Sequence, residues 1–572
     1  MRTRDADVSH GPPNAASGWL RRRPGYTLPG SVAALMLAVL SFTPSLLPRP
    51  AFFQGLVTGV TAAIGYGLGV LGARVWREFA DRPQRTPSQR SWRRFAWLAC
   101  AALLASLAVG VWWQRAAAAL VGIQPQSPLA ALLVLPVAAV FFVVLVGGGR
   151  LVIRLFQRMS AGLARHMGAR AARALGAVLI VVMAVLLVNG VLGGAAVTAM
   201  NSAYSVRDTT TAEGVSRPAS SDRSGGPGSL VPWEQLGHQG RTFVARGPNA
   251  ARIEQVTGMP ARNPIRAYAG LDAADDVQAR AALAVRDLER AGGFGRSNLL
   301  VVTTTGSGWV EMSAVSAFEY LTNGDSAIVS LQYSFLPSVV SFLVDQERAR
   351  DAGRALFDAV YERWSSLPAE HRPRIYVFGE SLGSFGGETA FSGEFDLANR
   401  VSGALFTGPP NANPLYRTFV DRRDPGSREL EPVYRDGRTV RFTTSPGRPI
   451  APAGTPWERS RVLYLQHASD PITWWSPDLI LRRPDWLAEP RGDDVLAATR
   501  WVPFVTFWQV SADMPLSMEP GPGHGHNFQG EHVDAWAAVL RTPHWTSAKA
   551  ARLKEVVRAS LSEPYAATPG AR

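Results

Sequence analysis

Cysteine occurs once in the 572 residues, at Cys100, and lysine only at Lys549 and Lys554. The first scarcity excludes an intramolecular disulfide framework and any thiolate-built zinc cage. The second means that the net charge of +14 is carried by arginine, with no lysine-rich tail. Charged residues are also few, at 18%, below the ~25% of ordinary globular chains, which excludes disorder for the chain as a whole.

Acidic residues are almost missing from the first 200 positions, where only Asp5, Asp7, Glu78 and Asp81 face 20 arginines. Five apolar stretches lie there, at about 28–47, 52–75, 95–113, 128–148 and 174–199. A bilayer core of ~30 Å takes about 20 helical residues. Within the five stretches no Asp, Glu or Lys occurs, and Arg74 stands only at one edge. A bundle of about five transmembrane helices is expected over 28–200, after a short N-terminal segment, 1–27. The arginines sort by loop. Eighteen precede the first stretch or lie between the second and third and between the fourth and fifth, whereas the other two loops hold only Arg49 and Arg115. The positive-inside rule then places the N-terminus in the cytoplasm and everything after about Met200 outside it. The basic excess is thereby assigned to topology and anionic lipid, with no nucleic-acid partner expected.

From 201 to about 230 the chain is rich in Ser, Thr, Gly, Pro, Asp and Arg, a composition that reads as a flexible linker. Beyond it, β-branched and aromatic runs at 265–269, 299–305, 327–333, 375–378, 401–406, 462–466 and 505–510 alternate with amphipathic stretches at 276–290, 346–364 and 532–541. This alternation predicts an α/β domain over 231–572 with a mostly parallel sheet. A Pro- and Arg-rich segment at about 408–460 is expected to cap it.

The sharpest chemical signal is Ile375-Tyr376-Val377-Phe378-Gly379-Glu380-Ser381-Leu382-Gly383, a strand running into Gly-x-Ser-x-Gly. A serine on a tight strand-to-helix turn is held strained and exposed, and the flanking glycines admit neighbouring backbone. Partners should follow in the order acid, then His. Asp470 ends the run Val462-Leu463-Tyr464-Leu465-Gln466-His467-Ala468-Ser469-Asp470-Pro471, and the loop Gly523-His524-Gly525-His526-Asn527-Phe528 offers either His524 or His526 as general base. The oxyanion donors are expected at the N–H of Leu382 and in the Gly306–Ser307 turn of Thr304-Thr305-Gly306-Ser307-Gly308-Trp309. His524, His526 and His532 with Asp534 also have a spacing met in metallohydrolases, yet no second ligand cluster accompanies them, and neither metal nor cofactor is expected. Trp474 and Trp475 read equally as pocket wall and as core.

These motifs, with Ser41-Phe42-Thr43-Pro44-Ser45-Leu46-Leu47-Pro48-Arg49 and Gly237-His238-Gln239-Gly240-Arg241-Thr242-Phe243-Val244, resemble the bacterial membrane-anchored α/β-hydrolase family common in actinobacteria. The resemblance spans about 28–540 and implies a membrane serine hydrolase with its nucleophile at Ser381. It implies no particular substrate. The expected function is a serine esterase or lipase acting on an ester of an envelope lipid or acylated envelope component, with membrane lipids as substrate or surface. An acyltransferase using the same triad, and a non-catalytic envelope scaffold, are the alternatives.

Overall fold

The computed structural model describes residues 25–83, 86–185, 193–344, 346–448 and 454–562. The expected N-terminal segment, 1–27, lies outside them apart from its last three residues.

Among the described residues, six α-helices make up the N-terminal region: α1 (Leu28–Leu40), α2 (Ala51–Phe79), α3 (Gln89–Leu120), α4 (Val134–Leu163), α5 (Ala169–Val185) and α6 (Gly193–Asp208). Thr27 caps α1 by accepting from the Gly30 N–H, and Ser88 caps α3 from Ser91, so each run starts where a side chain satisfies a free donor. Small residues on α2 bring three helices together. A Cβ at Gly59 would lie 2.6 Å from the Ala138 carbonyl of α4, and one at Gly65 would lie 2.5 Å from Ala33 of α1. Among the described residues, three helices are long and apolar enough to cross a membrane: α2, α3, and α4 with the turn that precedes it. The first expected span is shorter, because its helix stops after 13 residues at the turn that leads to Pro44. The fifth, 174–199, falls on α5, on residues outside the described ones, and on α6.

Among the described residues, the C-terminal domain is built on seven strands: β1 (Ile265–Ala269), β2 (Asn298–Thr303), β3 (Ser326–Leu331), β4 (Arg374–Glu380), β5 (Gly403–Thr407), β6 (Val440–Thr443) and β7 (Arg461–Leu465). Every pair is parallel, in the order β1-β3-β2-β4-β5-β7-β6. The chain turns one way from β2 to β3 and the other way from β4 to β5. The crevice for a ligand therefore opens at the carboxyl ends of β2 and β4, the switch point of the sheet.

Three expectations are corrected. The run at 505–510 is the start of a helix, Val505–Asp513, because Thr506, Gln509, Val510 and Asp513 share a buried helical face that packs on the N-terminal region. Tertiary contact there overrides β propensity. The segment 408–460 is no simple cap, since it supplies the helix Pro414–Asp421 and the edge strand β6. The stretch 201–230 is no loose linker either. It begins inside α6, and further on Ser224 is buried with its hydroxyl bonded to Asp287 at 2.5 Å, while Arg223 bridges to Arg266 of β1. A polar segment can be ordered without apolar area when its hydrogen bonds end on buried acceptors.

The two regions share a core. Leu46, Leu47 and Val121 from the N-terminal helices pack with Trp474, Leu479, Trp486, Leu487 and Val510. Arg49 of the 41–49 motif forms a fully buried ion pair with Asp513 at 3.3 Å. The motif at 237–244 makes a second joint: Arg241 donates to the carbonyls of Asp208 and Thr209 at the end of α6.

Candidate active site

Ser381 follows β4 with φ of +53°, a conformation that a non-glycine residue holds at a cost of about 1–3 kcal/mol. What over-determines it is close backbone packing. A Cβ on Gly379 would sit 2.4 Å from the Gly383 carbonyl, and one on Gly383 would sit 2.4 Å from the Thr303 carbonyl at the end of β2. The Ser381 N–H is bonded to the Thr407 carbonyl of β5 at 2.9 Å. The result is a half-buried serine at the head of the short helix Leu382–Gly387.

Asp470 leaves β7 fully buried and caps the following turn, its carboxylate accepting from the Ile472 N–H at 2.9 Å and the Thr473 hydroxyl at 3.1 Å. His526 Nδ1 lies 2.7 Å from its other interaction, Asp470 Oδ2. A carboxylate oxygen only accepts, so Nδ1 carries the proton and Nε2 is left as the basic nitrogen. That Nε2 is buried and has no hydrogen-bond partner among the described residues. Burial pushes the imidazolium pKa down, but the charge and hydrogen bond of Asp470, aided by Glu380, leave it above its ordinary value.

The ring rests on Gly408, the residue after β5, where a Cβ would lie 2.3 Å from His526 Cε1 and φ is +51°. Strand β5 therefore holds Ser381 through Thr407 and seats the imidazole on the next residue. Gly408→Ala is expected to displace the ring by about an ångström and lower kcat about 100-fold with little loss of secondary structure, measured by ester turnover beside circular dichroism.

The two histidines left open by the sequence separate here. His524 is a third exposed and faces Asp494 at 3.6 Å, while His526 takes Asp470. The loop between them is fixed from outside. His467 Nδ1 donates to the Gly525 carbonyl at 2.8 Å and its Nε2 to Glu531 at 2.7 Å. Both partners accept, so the ring is an imidazolium: burial opposes the charge, yet Glu531 pushes its pKa up to about 9. Behind the nucleophile, His532 joins Glu380 at 3.1 Å and Ser313 at 2.8 Å in the core. Burial and the neighbouring Glu380 push the Glu311 carboxyl beside them up to about 7. His532 and Asp534 are thus used structurally, Asp534 in an ion pair with Lys554 at 2.5 Å.

A narrow cleft at Ser381 is walled by Leu382, Phe342, Pro410, Ile472, Trp475 and Met514, with Ser338 at its edge. The turn at Gly306 lies behind Ser338, to whose Oγ the Gly306 N–H donates at 3.3 Å, and the Ser307 carbonyl accepts from Gln332. Of the tryptophan pair, Trp475 faces the cleft, while Trp474 is core and bonds the His467 carbonyl. Sequence reasoning missed Ser338, Phe342 and Met514. Ser338 and Phe342 come from the short helix Ser338–Val344, and Met514 from the turn that follows the helix Val505–Asp513; none of these segments carries a motif, and only the order of the strands brings them to the nucleophile.

A parallel sheet with a strained serine at its switch point defines an α/β-hydrolase. The chain belongs to the alpha/beta-hydrolase family: residues 265–553 match that family, and residues 42–248 match the alpha/beta-hydrolase family N-terminus. Comparison with curated proteins and with solved structures gave no match.

Proposed function

We propose that this chain is a membrane-anchored serine hydrolase that cleaves an ester of an envelope lipid or acylated envelope component through an acyl-enzyme. The observation that carries the reading is the buried His526, bonded through Nδ1 to Asp470 at 2.7 Å, with its Nε2 unpartnered among the described residues and its ring against Gly408, the residue after the strand that holds Ser381. Ser381 Oγ attacks the carbonyl as His526 Nε2 takes its proton, and Asp470 stabilises the imidazolium so formed. The departing alcohol takes that proton back, and a water activated by the same nitrogen releases the acid. The donors for the oxyanion are the Leu382 N–H and the Ser338 hydroxyl, whose oxygen the Gly306 N–H of the Gly306–Ser307 turn holds from behind. The apolar wall of Phe342, Ile472, Trp475 and Met514 suits an acyl chain.

The placement of the helices supports the membrane reading. The α1–α2 and α3–α4 connections, which carry Arg49 and lie next to Arg115, meet the catalytic domain through Leu46, Leu47 and Val121. Helix α2, 29 residues long, carries its other end about 43 Å away, toward the arginine-rich loops. The catalytic domain then stands on the arginine-poor, extracytoplasmic face, an argument that does not depend on the number of spans. A periplasm-active reporter fused after Met200 is expected to be active, and a cytoplasm-only signal sinks this topology.

The test of the chemistry is labelling of the full-length protein by a fluorophosphonate probe. Wild type should label at Ser381, and absence of label from folded protein refutes the serine-hydrolase reading. The pH profile gives a further check. Only neutral His526 can act as base, and its pKa is raised, so kcat/KM should fall with acid from a limb above the ordinary ~6.5. Asp470→Asn removes the charge that raises it and should shift the limb to lower pH.

A further inference from the structure

The N-terminal helices leave a long gap. Helix α3 packs closely on α1 and meets α2 and α4 mainly through Leu103 and Leu107, which leaves two cavities along its inner face. Trp92, Phe95, Ala99 and Leu103 of α3 line one; Leu107, Gly110, Val111 and Gln114 line the other. The spacing of three and four puts all eight on one face of α3. From Trp92 to Gln114 that face runs about 33 Å, the thickness of a bilayer core.

The two ends differ in chemistry. Opposite Trp92 and Leu103 the walls are Ala34, Ala62, Ala138 and Phe142, almost without polar atoms. The end beside the catalytic domain holds Gln54, Gln114, Gln124, Gln126, Arg115 and Glu519. Gln114 uses its Oε1 to accept from the Arg49 N–H at 2.7 Å, and Gln126 uses its Oε1 on the Ala51 N–H at 3.2 Å. Each amide thus keeps its NH2 for the cavity. Arg115 is exposed at the mouth and makes no ion pair among the described residues. Donors outnumber the single carboxylate of Glu519, which calls for a head group made of acceptors.

We propose that this crevice binds one glycerophospholipid, its acyl chains along α3 and its phosphate among the Gln114, Gln126 and Arg115 donors under the catalytic domain. The site rests on the membrane placement proposed above but not on the serine chemistry. Its polar end adjoins the base loop: Glu519 lines it, and the Gly521 N–H donates to the Val121 carbonyl at 3.2 Å. A bound head group therefore touches the segment between Met514, in the catalytic cleft, and His526.

The test uses full-length protein in detergent, with native mass spectrometry after addition of phosphatidylglycerol or of a diacylglycerol with the same chains. Wild type and Ser381→Ala should each hold one phosphatidylglycerol, about tenfold more tightly than diacylglycerol. Ala99→Trp with Leu103→Trp fills the apolar half and should lose the lipid, while labelling by fluorophosphonate shows that its catalytic domain is folded. Arg115→Glu, at an exposed position, should erase the preference for phosphatidylglycerol without changing stability. Retention of lipid by a folded Trp variant, equal binding of the two lipids, or no bound lipid in wild type overturns the proposal. Failure of wild type to label, with lipid still bound, would instead refute the hydrolase reading alone.

Discussion

Ser381→Ala should abolish fluorophosphonate labelling and reduce ester turnover about 10⁶-fold, with the melting temperature unchanged or slightly raised. The magnitude follows from the proposed roles of Ser381, Asp470 and His526: in a triad acting as a unit, removing the nucleophile or the base costs about as much as removing every member. His526→Ala should accordingly give nearly the same loss, and Ser381→Ala with His526→Ala no further loss. Asp470→Asn should cost about 10⁴-fold, because the imidazole is then held in the wrong tautomer. The informative control is His524→Ala. His524 is a third exposed and faces Asp494 rather than Asp470, so it should retain activity within a few-fold. Alanine keeps the +53° backbone and the Cβ and removes only the half-buried hydroxyl, which is the reason to expect no loss of stability. Equal activities for His524→Ala and His526→Ala would overturn the assignment of the base. Steady-state turnover of a short-chain ester by purified full-length protein, with thermal unfolding beside it, reads all of these.

Ser381 and Asp470 of this candidate site were legible in the sequence because each sits at the carboxyl end of a strand that is itself a continuous apolar run. β4 leads to Ser381 and β7 to Asp470, and both runs are flanked by glycine or proline signals that stop a helix from forming. His526 was legible only to within two residues. Both it and His524 follow a glycine, and the choice depends on His467 and Glu531, which hold Gly525 from elsewhere in the fold. What could not be read were elements whose environment contradicts their local pattern. Val505 to Val510 has the composition of a strand, yet it forms a helix because Gln509 and Asp513 must face the 41–49 motif one turn apart. Strand β6 carries Arg441 in its middle, and its guanidinium is buried by bonds to the Gly437 and Thr455 carbonyls. The motifs at 41–49 and 237–244 carried the family resemblance without any visible chemistry. Their role is mechanical: each fastens the N-terminal helices to the catalytic domain.

That fastening gives the second large effect, at Asp513. Its carboxylate is fully buried and takes the Arg49 guanidinium at 3.3 Å, the Ser45 hydroxyl at 2.5 Å, and the Leu46 and Leu47 N–H groups at 3.2 and 3.4 Å. Asp513→Ala leaves Arg49 charged, buried and joined only to Gln54, which should destabilise the protein by about 3–5 kcal/mol. At 2–4 °C per kcal/mol this is a fall in melting temperature on the order of 10 °C. Activity should fall with it, before global unfolding. Asp513 is followed directly by Met514 of the cleft, and three residues further the Ser517 carbonyl accepts the His526 N–H at 2.7 Å. An unpinned helix end therefore reaches the base within a few bonds, and kcat should drop more than KM rises. Arg49→Met with Asp513→Leu removes both charges and keeps the volume, so stability should return to within about 1–2 kcal/mol of wild type. If the double variant is as unstable as Asp513→Ala, the penalty belongs to the lost hydrogen bonds of Ser45, Leu46 and Leu47 and not to an uncompensated arginine. Recovery of stability without recovery of kcat would mean that the ion pair positions His526 beyond merely joining the two regions.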